Sequence, residues 1–77
     1  MTLQYAILKT LDRAHPNGMP ETSIIADVNL LLPEIVTPSM VRRELEGMDG
    51  VFVKSVKDDD RGLIYFLTPR GQARLQK

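Results

Sequence analysis

Up to Gly50 the apolar residues of this chain recur at helical spacing, and beyond it they alternate. That switch constrains the fold more than any other feature. Leu3, Ile7, Leu8, Leu11 and Ala14 form one face of a first helix over Leu3 to Ala14, with Thr2 as its N-cap. Pro16 disfavours helical geometry at His15, and Asn17-Gly18 is a turn signal. Gly18-Met19-Pro20 is short and extended. Glu21 suits a first helical turn, and Ile24, Ile25 and Val28 give a second helix from Glu21 to about Asn29. Pro33 interrupts the next apolar run, so Leu30 to Val36 reads as a partly buried connector. Thr37-Pro38 is a helix start, with a capping hydroxyl followed by proline at the first helical position. Val41, Leu45 and Met48 line the inner face of this third helix, Pro38 to Asp49, and Gly50 ends it in the left-handed region. Val51 to Val56 and Leu63 to Leu67 are strands around an Asp58 to Gly62 turn. Thr68-Pro69 opens a last helix that reaches about Gln76.

The fold class that follows is α+β. Three helices precede a β-hairpin and a short C-terminal helix, in one domain over residues 1–77. This is the order of a small winged helix-turn-helix, in which a later helix enters the major groove and an earlier one crosses the backbone.

Composition narrows the function. A chain of 77 residues has a small core and buries only about 60% of its unfolded surface. Without cysteine it has neither disulfides nor thiolate metal sites, and one histidine does not make a zinc site. Cofactor and metal are therefore expected to be absent. No apolar run approaches the length of a membrane span, and MTLQYAILK has no basic leader or cleavage pattern. A cytoplasmic location fits. The formal net charge is zero, yet residues 1–50 carry four basic against seven acidic side chains while residues 51–77 carry six against three. An anion-binding surface would draw on the C-terminal third and on Arg42 and Arg43.

Within "KDDDRGLIYFLTPRG", residues Asp59, Arg61, Gly62, Leu67, Thr68 and Gly71 form D-x-R-G-x4-L-T-x2-G. This resembles the wing and following helix start of MarR-like transcriptional regulators, and the helix leading into Gly50-Val51 is similar to the recognition helix of that family. The resemblance covers about Pro38 to Leu75 and more loosely Leu3 to Asn29. It implies that Arg61 contacts DNA at the wing, where a narrow minor groove attracts arginine, with Lys57 nearby, and that Asp59 orients a neighbouring basic group. The other reading of the run is a solvated turn, with acids and glycine chosen for its geometry. Asp58 and Asp60 have no counterpart in the motif, and three carboxylates beside phosphates are unfavourable.

The third helix is read from its period. With Val41, Leu45 and Met48 inward, Ser39, Arg43 and Glu46 face outward, flanked by Met40, Arg42 and Gly47. Arginine reads guanine, glutamate accepts from cytosine and serine is versatile. The bland alternative is a solvated face in which Arg42 and Glu46 form an i, i+4 pair. The connector is longer than a tight helix-turn-helix turn, and the chain lacks the long flanking helices with which MarR-like regulators dimerise. Both departures imply a minimal module rather than a full sensor-repressor.

Strand alternation sets Leu63, Tyr65 and Leu67 inward and Ile64 and Phe66 on the opposite face. Helix 1 or the last helix covers that pair, or it forms an apolar interface patch, as does Leu30 to Leu32. A homodimer is expected. No nucleophile motif, base or phosphate loop is present, so an enzyme is not expected. Two functions remain. One is a DNA-binding module binding double-stranded DNA, a small regulator or accessory factor. The other is a winged helix that binds a protein partner.

Overall fold

The structure is a computed structural model that describes residues 1–76. Lys77, counted among the basic residues above, lies outside the described residues. The elements run α1 (Leu3–Ala14), β1 (Met19–Pro20), α2 (Glu21–Leu31), α3 (Pro38–Met48), β2 (Val53–Asp58), β3 (Gly62–Leu67) and α4 (Pro69–Leu75). The sheet is antiparallel with β3 central, between β1 and β2. Helix α1 crosses the centre of the molecule and buries Ala6, Ile7, Leu8, Thr10 and Leu11. Ile24, Val28, Val36, Val41, Leu45, Met48, Val53, Tyr65 and Leu67 complete one apolar cluster with it.

Three of the four helix starts are local capping events, and α2 follows Pro20 without a side-chain cap. Thr2 Oγ1 accepts from Tyr5 N at 3.1 Å, Thr37 Oγ1 from Met40 N at 3.3 Å, and Thr68 Oγ1 from Gly71 N at 3.1 Å. These bonds satisfy helix-end N–H groups that have no partner within the helix. The second helix runs two residues beyond Asn29, because the proline that ends it acts at Leu32, the residue before it. Helix α3 stops one residue earlier than its sequence pattern, at Met48. Val51 N and Phe52 N both donate to Met48 O at 3.0 Å, while Gly50 takes a φ of 84°. This turn uses Val51 and Phe52, so β2 begins at Val53.

The connector from Leu32 to Thr37 is held by one side chain. Asn29 Nδ2 donates to Ile25 O at 3.1 Å and to Val36 O at 3.2 Å, and Asn29 Oδ1 accepts from Val36 N at 2.7 Å. Val36 is thereby drawn into the core at 5% exposure, whereas Ile35 stays 90% exposed and Leu30 84%.

The L-T-x-x-G motif closes the sheet onto α4. Thr68 Oγ1 donates to Val51 O at 2.7 Å while accepting from Gly71 N, and Thr68 N donates to Phe52 O at 3.1 Å. Gly71 packs so tightly that a Cβ there would run into the Phe52 carbonyl oxygen and sit 2.6 Å from Leu67 Cδ1.

One expectation for β3 changes. Leu63 lies on the same face as Tyr65 and Leu67 but is half-exposed, because the hairpin extends past the end of β1, which pairs only with Tyr65 and Ile64. Ile64 and Phe66 do face the other way, and Gly18, at the end of the loop after α1, packs against both: a Cβ on it would lie 2.6 Å from Ile64 Cγ2 and 2.8 Å from the Phe66 ring. Ile64 is buried and Phe66 half-buried.

Candidate nucleic-acid interface

The inward face of α3 is filled by Val41, Leu45 and Met48, which leaves Ser39, Met40, Arg42, Arg43, Glu46 and Gly47 exposed on its other sides. This follows from the helical period. A Cβ on Gly47 would meet nothing within 4 Å, so that part of the helix is open.

The wing tip is ordered by Asp58. Its Oδ1 accepts from Asp60 N at 2.8 Å and from Arg61 N at 3.0 Å, and Gly62 takes a φ of 76° to bring the chain back. The two N–H donors, aided by the nearby Arg61 charge, hold the Asp58 carboxyl below the usual carboxylate range. Asp58, which the motif leaves without a role, thus shapes the turn. Asp59 forms no ion pair with a basic side chain among the described residues. The side chains of Lys57 and Arg61 are exposed at the tip.

Between the wing and the helices lies a groove of about 340 Å³, lined by Pro20, Glu21, Thr22, Arg42, Arg61 and Leu63. The third helix and the wing therefore each contribute an arginine to one depression. A second groove of about 480 Å³ lies against the outer face of the hairpin, with Gly18, Val56, Lys57, Ile64, Phe66 and again Arg61 on its walls. Arg61 stands at the rim of both.

Arg42 is not paired with Glu46 along its own helix. Its Nη2 donates to Glu21 Oε1 at 2.9 Å and its Nε to Glu21 Oε2 at 3.3 Å, a two-point contact with the first residue of α2. The hydrogen bond and charge of Glu21 raise the guanidinium pKa, with a smaller push from Glu46. Nothing in the local pattern announces this pair, since its partners are 21 residues apart. Below the groove, burial raises the Tyr65 phenol pKa, reinforced by Glu21, Asp49 and Glu46. Asp49 itself is tied to β2: its Oδ1 accepts from Ser55 N at 3.1 Å and its Oδ2 from Ser55 Oγ at 2.9 Å. Among the described residues no group of three or more metal-ligating side chains is gathered, and no helix is long and apolar enough to cross a membrane.

Three helices with a hairpin wing on a three-stranded antiparallel sheet define a winged helix-turn-helix fold. The chain matches the crystal structure of a transcriptional regulator of the MarR family from Silicibacter pomeroyi, with a TM-score of 0.80 and 25% sequence identity. The match takes in 99% of this chain and 47% of that one, so this chain spans about half of the regulator's length. No protein-family model matches the sequence, and no curated protein matches it.

Proposed function

We propose that residues 1–77 are a single DNA-binding winged-helix module, acting in the cytoplasm as a small transcriptional regulator or accessory factor and binding duplex DNA as a homodimer. It acts by binding alone, without cofactor or catalysis. In this reading α3 enters the major groove, with Ser39, Arg43 and Glu46 toward base edges and Met40 beside them. Arg61 and Lys57 of the wing reach the adjacent phosphates or the minor groove. Asp59 stays in solvent at the wing tip. The observation that carries the proposal is the shared groove: Arg42 of α3 and Arg61 of the wing line the same depression, so the two elements offer cations on one side of the molecule.

The test is a fluorescence-anisotropy titration of random duplex DNA at several salt concentrations. Affinity falls with salt at a log–log slope of about 0.9 per neutralised phosphate. Arg61→Ala and Arg43→Ala each weaken binding, and loss of a phosphate contact flattens the slope by about 0.9. Absence of binding by the wild-type protein at low salt refutes the proposal.

A protein-binding role is the second reading. It is favoured by Leu30 at the end of α2 and Ile35 in the connector, two large exposed apolar side chains that a protein partner would cover. Light scattering that shows a monomer at high micromolar concentration excludes a homodimer as that partner.

A further inference from the structure

Arg42 offers its guanidinium fork to Glu21 through two nitrogens, at 2.9 and 3.3 Å. It is the one ion pair among the described residues. The arginine side chain is 61% exposed and the glutamate 21%, so the cation points outward and the carboxylate lies closer to the protein. The pair sits in the groove that Arg61 also lines. A carboxylate and a phosphate present similar pairs of oxygens to a guanidinium, and both bind it through two parallel N–H···O bonds.

We propose that Glu21 is an internal stand-in for phosphate, occupying the face of Arg42 that a nucleic-acid backbone would take, and so acts as a built-in brake on affinity. The inference rests on the DNA-binding reading and adds the residue that sets its strength. Three facts argue for competition rather than simple scaffolding. The donors that Glu21 engages are those a phosphate would use. The arginine half of the pair is 61% exposed, and ion pairs at the surface are weak enough to exchange. Once displaced, the Glu21 carboxylate lies beside the incoming phosphate and repels it, so binding through Arg42 carries a penalty. Arg61 in the same groove has no such partner among the described residues. Glu21 is a positioning residue here, acting on DNA through Arg42.

The test uses Glu21→Gln, Arg42→Gln and the double variant in the same anisotropy series, with thermal melts showing each folded at the binding temperature. Glutamine keeps the length of Glu21 and removes only its charge. The expected result is that Glu21→Gln binds more tightly and its salt slope steepens by about 0.9, the value of one added phosphate. Its advantage over wild type then shrinks about three- to fourfold between roughly 50 and 200 mM salt. Arg42→Gln weakens binding in the wild-type background, where it leaves the Glu21 carboxylate unpaired in the groove, and costs more in the Glu21→Gln background, where it removes the whole gain. A purely structural pair would lower melting temperatures and leave the slope alone. An unchanged slope in Glu21→Gln, or an equal cost of Arg42→Gln in both backgrounds, overturns the brake while wild-type binding keeps the DNA reading intact. A wild-type protein that binds no duplex overturns both.

Discussion

Replacing Asn29 should loosen the connector that delivers the chain to α3. Its amide makes three hydrogen bonds, two to the carbonyls of Ile25 and Val36 and one from the Val36 N–H. Each such bond contributes about 1 kcal/mol net, and an unpaired buried donor costs about 1–3 kcal/mol. Val36 is 5% exposed, so its N–H has little water to turn to when Asn29 Oδ1 is removed. Asn29→Ala should therefore lose about 2–3 kcal/mol, measured by urea unfolding. For a domain of this size that is a fall in Tm of about 10–20 °C. Asn29→Asp separates the contributions. It keeps an oxygen for the Val36 N–H but turns its second oxygen toward two carbonyls that need a donor. The carboxylate is disfavoured there, so its folded pKa rises above the ordinary value near 4. A raised folded pKa gives a contribution fully present below the unfolded pKa and lost as pH climbs through the folded one. The stability gap between wild type and Asn29→Asp should thus be wide at pH 7 and narrow toward pH 3. An Asn29→Ala variant within about 0.5 kcal/mol of wild type, or a gap independent of pH, would refute the account of this clamp.

Other perturbations test separate parts of the fold. Gly71→Ala should cost about 1–3 kcal/mol in urea unfolding despite alanine's better helix propensity, because the new methyl meets the Phe52 carbonyl and Leu67; stability equal to wild type would refute this. Thr10→Val should gain about 1 kcal/mol, since Thr10 Oγ1 is buried without a hydrogen-bond partner and its removal ends that penalty; a loss in thermal melts would show that the hydroxyl is satisfied. The Asp58 carboxyl, with its depressed pKa, supports the wing turn above the unfolded value and loses that role as pH falls through the folded one. The Asp60 and Arg61 amide resonances should shift together, at a midpoint below that of an unperturbed aspartate, and Asp58→Asn should abolish the shift. The Tyr65 phenol, with its pKa raised by burial, stabilises the fold below the unfolded tyrosine value and ceases to do so at higher pH, so Tyr65→Phe should flatten the alkaline limb of the stability profile.

The sequence by itself determined the elements and their order, because those depend on residues within a turn of one another. Thr2, Thr37 and Thr68 announce three helix starts, and Pro38 and Pro69 occupy the first helical position in two of them. The inward set of α3, the left-handed Gly50 and the wing turn are equally local. The wing motif was legible too, though much of it proves architectural: Thr68 and Gly71 clasp the α3–β2 turn rather than facing a ligand.

Tertiary structure alone decided which groups meet. Glu21 and Arg42 stand on different helices, and only the packing of α2 against α3 makes the glutamate the partner in place of Glu46. The period of β3 correctly puts Leu63 on the Tyr65 face, but whether that face is covered depends on how far the hairpin extends past β1. Gly18 closes over Ile64 and Phe66 because the chain returns there after α1. Asp58, rather than Asp59, orders the wing because its carboxylate lies where two backbone N–H groups converge. Local propensity is set by nearest neighbours along the chain, whereas pairing and burial are set by neighbours in space, and a small domain has few of the latter to spare.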